Sequence, residues 1–117
     1  MLIEHLIRGS SNQILITLTE DGDPITGAWT GLDIWIADIQ LTRTEDGDGI
    51  SLNTSTGLLT ITPELLTAAE ILAIDQLSPK ESYRVIITVT SALNDNGAVF
   101  GGTGSDRIFF TISDKPA

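Results

Sequence analysis

The chain has 117 residues, of which 41% are hydrophobic and 19% charged, with a formal net charge of −10 and no cysteine. That is enough for one packed core and too little for two full domains, so residues 1–117 are expected to form a single domain without disulfide or thiol chemistry. So acidic a surface repels phosphate backbones and anionic headgroups, which argues against nucleic acid and membrane surfaces as partners.

The opening stretch, MLIEHLIRGS, lacks a basic start, and Glu4, His5 and Arg8 interrupt its apolar character. It reads as an N-terminal arm or edge strand over residues 1–9 and not as a signal peptide. No run reaches the ~18 apolar residues of a membrane helix. The expectation is synthesis and retention in the cytoplasm of the producing cell, or release by lysis.

Alternation then begins. Ile14, Ile16 and Leu18 fall on one face of a strand, with Leu15, Thr17 and Thr19 on the other. Asp21, Gly22 and Pro24 supply a turn. In GLDIWIADIQLTRT, Leu32, Ile34 and Ile36 share one parity while Ile39 and Leu41 share the other, which predicts a bulge or bend near Ala37 and Asp38. EDGDG is the next turn. Short strands follow around Ile50 to Leu52 and Leu58 to Ile61, joined through Asn53 to Gly57.

The period then changes. Thr62 as N-cap, Pro63 at the first helical position and Glu64 behind it predict one helix over about 63–75, with Leu65, Leu66, Ala69, Ile71 or Leu72, and Leu77 as its apolar stripe. The Ser78-Pro79 step ends it. SYRVIITVTSAL is the clearest strand, with Tyr83, Val85, Ile87 and Val89 on one face. Asn94 to Gly97 form a turn, and Ile108, Phe110 and Ile112 face inward from a last strand, with residues 113–117 as a tail. Short strands separated by turn signals imply a mainly β fold, an antiparallel β-sandwich with one short crossover helix.

Few residues suggest chemistry. GGTGSDRIF, from Gly101 to Phe109, fits the calcium nonapeptide of β-rolls, with Asp106 as its carboxylate. A single copy supplies only part of the ~6–8 oxygens calcium needs. The expectation is a glycine-rich loop, with no metal or other cofactor. EDGDG fails the calcium-loop pattern of EF-hands, because the fifth and sixth positions counted from Asp46 are Ile50 and Ser51. His5 is the sole histidine, too little for a transition-metal site. GTGSDR is neither a nucleophile elbow nor a phosphate loop. An enzyme is not expected.

The outward strand faces say more. The same alternation places Leu15, Trp35, Ile86 and Phe109 away from the core. Four large apolar groups on one outer face call for a cover, either the helix or another subunit.

One resemblance fits these features. LIRGSSNQILITLTEDGDPITGA resembles the opening of the immunoglobulin-like domain at the amino terminus of phage baseplate upper proteins and related virion proteins. Its marks are Arg8-Gly9, a strand, Asp21-Gly22 with Pro24-Ile25, and Thr26-Gly27-Ala28. TGLLTITPELL, SYRVIITVT and IFFTI are similar to later strands of that family. Ser82 stands where glycine usually precedes the tyrosine, and the helix and the loop after Asn94 are longer. The resemblance implies an Ig-like sandwich with no catalytic residues. It implies a bacteriophage virion structural protein of the tail, baseplate, neck or capsid surface, made in the host cytoplasm. Its partners would be other virion proteins, met as a homo-oligomer or as repeated copies on a scaffold. The alternative is a carbohydrate- or calcium-dependent adhesin module, a class that normally requires export.

Overall fold

The structure, a computed structural model, describes residues 2–8, 11–20, 23–24, 29–78, 81–91, 98–101 and 107–114. Its strands in chain order are β1 (Leu2–Arg8), β2 (Ile14–Thr17), β3 (Thr19–Glu20), β4 (Asp23–Pro24), β5 (Trp29–Ile36), β6 (Ile39–Arg43), β7 (Ile50–Asn53), β8 (Leu58–Ile61), β9 (Ser82–Ser91), β10 (Ala98–Phe100) and β11 (Ile108–Asp114). A 3-10 turn, Pro63–Leu65, and one helix, α1 (Ala68–Asp75), lie between β8 and β9.

Two sheets make the sandwich. The larger runs β1-β11-β9-β5-β6, with β10 also on β9, and the smaller runs β2-β8-β7. β9 forms the centre of the larger sheet, flanked by β11 and β5. The β3 and β4 pair forms a small separate ladder.

The alternation predicted for each long strand is the alternation found. Ile14, Ile16, Leu18, Leu32, Ile34, Ile36, Val85, Ile87, Val89, Ile108, Phe110 and Ile112 are all buried in one cluster between the sheets. Aliphatic side chains dominate this core, and Phe110 is its largest fully buried member.

Four expectations need correction. The sandwich is not wholly antiparallel, since the edge strand β1 runs parallel to β11, from Leu2 opposite Ile108 to Arg8 opposite Asp114. That pairing also extends β11 to Asp114, past the start expected for the tail. The chain does turn at the expected place, near Ala37 and Asp38, but the parity change after Ile36 is a hairpin between two strands and not a bulge or bend within one. Ala37 and Asp38 form a two-residue hairpin turn that sets Ile36 opposite Ile39, and residues directly opposite across a hairpin share a face. The irregularity in β5 lies earlier, between Trp29 and Gly31 against β9.

The helix is the fourth. Residues 63–75 are not one helix, because Leu66 at φ −63 and ψ 162 is extended and separates the 3-10 turn from α1. Thr62 caps nothing with its side chain, whereas Thr67 and Glu70 form a reciprocal capping box. Thr67 Oγ1 accepts the Glu70 amide at 3.3 Å, and Glu70 Oε1 accepts the Thr67 amide at 3.0 Å. The start five residues later rotates the apolar stripe. Leu66 and Ile74 are buried and Ile71 and Leu77 pack beside them, while Leu65 and Leu72 face solvent.

The crossover is anchored at both ends. Arg43, closing β6, forms a forked pair with Glu70, and Arg8, closing β1, donates to the Asp75 and Leu77 carbonyls at 3.1 Å each. The segment from the 3-10 turn through α1 thus bridges the two edge strands of the large sheet and packs Leu66 and Ile74 near Leu6, on the core side. At the far end of the crossover the Tyr83 hydroxyl accepts the Ser78 amide at 2.9 Å. A tyrosine at this corner, bonded to backbone just upstream, is a recurrent lock of immunoglobulin-type sandwiches.

Candidate interface

Alternation on the large sheet leaves a second, outward set of side chains. Cross-strand register assembles it. On β1 and β11, Ile3 lies opposite Phe109, and Phe109 lies opposite Arg84 of β9. One step along β9, Ile86 lies opposite Trp35 of β5, and Trp35 opposite Gln40 of β6. The result is an oblique apolar band of Ile3, Phe109, Ile86 and Trp35 across the sheet. The Ile3–Phe109 and Ile86–Trp35 pairs are directly opposed, ~4.5–5.5 Å apart at Cβ, and Ile86 is the diagonal neighbour of Phe109 at ~7–8 Å, still within reach of an aromatic side chain.

Trp35 is 38% exposed and Ile3 50%. Ile86 and Phe109 are half-buried by their neighbours on the sheet. Val99 of β10, opposite Thr88, adds a further apolar side chain that is 60% exposed.

The helix does not cover this band. Its buried residues join the core on the inner side, so of the two covers expected for the outer face the internal one is removed. Leu15 also stands apart. It is exposed on β2, opposite Thr60 of β8, on the outer face of the small sheet and so on the other side of the molecule. Parity correctly put it outside the core, but parity does not say which of two sheets a strand joins.

The polar rim beside Trp35 is internally satisfied. Asp33 Oδ1 accepts from Gln40 Nε2 at 3.0 Å and from Thr42 Oγ1 at 2.9 Å. By alternation, Asp33 is the one carboxylate among the described outward side chains of the large sheet, on a chain whose net charge is −10. Arg84 and His5 share its face. The acids collect instead in turns such as residues 44–48, where Asp46 Oδ1 accepts the Leu52 amide at 2.9 Å and so helps to fold its own turn.

Among the described residues, the metal candidates form no site. His5 is exposed on β1, and among the described residues no three His, Cys, Asp or Glu side chains cluster to hold a metal ion. Asp106 lies outside the described residues. The ends of its nonapeptide are visible. Gly101 sits at φ +81 with its Cα against β9, where a Cβ would come within 2.5 Å of the Val85 carbonyl oxygen. Ile108 and Phe109 belong to β11, Ile108 in the core opposite Val85. β10 and β11 both pair with the same edge of β9, and the motif's described residues lie just after β10 and at the start of β11.

No family model matches the chain, and no curated protein matches it at a significant level.

Proposed function

We propose that the chain is a non-enzymatic structural component of a phage particle, at the tail, baseplate, neck or capsid surface, and that it acts through protein–protein assembly. The observation that carries this reading is the apolar band of Ile3, Phe109, Ile86 and Trp35 on a sheet face that the chain's own helix leaves open. Contiguous exposed apolar surface with a tryptophan in it is the usual mark of a protein contact. The two-sheet sandwich and the Tyr83–Ser78 bond support the Ig-like part of the resemblance to baseplate upper proteins.

Function then follows from the distribution of surface types. The sheet face supplies the desolvated contact, while the acidic turns keep free copies soluble and apart until they are docked. Mass spectrometry of particles purified from the producing cells tests the reading. The chain should be recovered in a fixed stoichiometry to the other particle proteins. Its absence from washed particles would refute the proposal.

A further inference from the structure

The observations also single out what the face meets, an inference that rests on the assembly reading above. We propose that the outer face of the large sheet packs on the same face of a second copy of this chain, as a two-fold, sheet-to-sheet dimer.

Area decides first between the two outer faces. The six strands of the large sheet, three to ten residues long and 40 residues in all, give roughly 600 Å² at ~3.3 Å per residue and ~4.8 Å between strands, the lower end of what a stable contact needs. A stable interface uses about 600–1,000 Å² per partner. The outer face of the small sheet, three strands of four residues, gives roughly 200 Å² and falls far short. Leu15 therefore stands as an isolated surface residue.

Charge then selects the occupant. A partner recruited electrostatically by a chain of net charge −10 would be cationic and would engage the acidic turns. Among its described side chains the large-sheet face is instead nearly cleared of acid, with one carboxylate, Asp33, held by Gln40 and Thr42. That is the condition two copies of so negative a chain must meet in order to touch. Position completes the case. Trp35 and Ile86 lie opposite each other on β5 and β9, the inner strands of the sheet. A two-fold contact lays the centre of a face on its own copy, so this pair is buried against itself at the heart of the interface.

The arrangement predicts an inverted salt dependence. Repulsion between the two acidic bodies is long-range and screened, whereas the contact is apolar. Self-association should tighten as salt rises, while docking of a cationic partner would weaken.

Sedimentation equilibrium across the micromolar range, at low and at half-molar salt, is the test. The wild-type chain should dimerise, more tightly at high salt. Trp35→Gln should weaken the dimer about 30-fold or more, because each substitution is present twice. Leu15→Gln should leave it unchanged. If Trp35→Gln melts abnormally, Ile3→Gln, at a half-exposed position, replaces it. A wild-type chain that stays monomeric throughout, or a dimer indifferent to both substitutions, overturns the inference. A monomeric chain that is nonetheless found in the particle overturns the self-contact alone. A dimer absent from the particle overturns the assembly reading alone.

Discussion

Arg43 and Glu70 form a forked ion pair with both N–O distances at 2.5 Å, and it ties the last residue of an edge strand to the first turn of the helix. Their side chains are only 9% and 12% exposed. Arg43 also donates to the Gly47 and Asp48 carbonyls, so one guanidinium organises both the acidic turn and the crossover. Burial by itself would raise the Glu70 carboxyl. The hydrogen bonds and charge of Arg43, with the Thr67 amide, outweigh that and hold it below the usual carboxylate range. Hydrogen bonding to Glu70 in turn raises Arg43 above its ordinary value. Glu70→Gln should cost about 2–3 kcal/mol near neutral pH, by weakening the cap and leaving Arg43 without its counter-charge. The pH dependence has a fixed sign. Glu70 titrates lower folded than unfolded, so its contribution is complete above about pH 4.3 and is lost as pH falls through its folded value. Thermal melts should show the gap between wild type and Glu70→Gln closing below about pH 4.

Two glycines predict opposite outcomes. Gly49 adopts φ +84 with its Cα against the crossover, and a Cβ there would lie 2.7 Å from the Thr62 carbonyl oxygen and 2.9 Å from Leu65 and Leu66 backbone atoms. Backbone cannot give way as a side chain can, so Gly49→Ala should destabilise by at least ~2 kcal/mol. At Gly31, in β5, the nearest contact of an added Cβ is Thr90 Cβ at 3.5 Å, an ordinary separation. Gly31→Ala should be neutral or stabilise by up to ~1 kcal/mol through the unfolded state. Denaturant titration of both variants checks the contrast.

Removal of one oxygen tests the corner lock. Tyr83→Phe leaves the ring in place and orphans the Ser78 amide, whose partner it was at 2.9 Å. Because the site is exposed to water, the loss should be about 1 kcal/mol. Hydrogen exchange should quicken at Ser78 and stay unchanged at Ile87, in the middle of β9.

Period-2 alternation made the longer strands and much of the core legible in the sequence, because each face of a sandwich strand sees one environment along its whole length; Leu6 and Ile74 carried no such signal. Ile14, Ile16 and Leu18 required no knowledge of their partners. What alternation could not carry was relation between strands. Leu15 was placed outside, but its sheet depends on β2 pairing with β8, a non-local fact. The turn at Ala37 was obscured because Ala37 sits at φ 54, a conformation usually signalled by glycine or asparagine. The helix start had a readable signal, Thr67-Ala68-Ala69-Glu70, which fits the capping-box pattern. The adjacent Thr62-Pro63-Glu64 competes with it locally, and packing of Leu66 into the core settles the outcome.

The outer band should behave as surface in the isolated fold. Phe110 is fully buried, so Phe110→Ala should cost about 3–5 kcal/mol in thermal or denaturant melts. Trp35, 38% exposed, leaves no closed cavity when truncated, and Trp35→Ala in dilute protein should cost less than ~2 kcal/mol. Equal losses for the two would mean that Trp35 is a core residue and that the band is not a free face.

Incorporation into the particle addresses the central claim most directly. Wild type, Trp35→Gln with Phe109→Gln, and Leu15→Gln would each be supplied as the sole source of the chain, and its content measured in purified particles by quantitative mass spectrometry. The account predicts normal incorporation for wild type and Leu15→Gln, and loss of the doubly substituted chain although it folds and accumulates in the cell. Normal incorporation of the doubly substituted chain would contradict the assignment of the large-sheet face as the assembly surface.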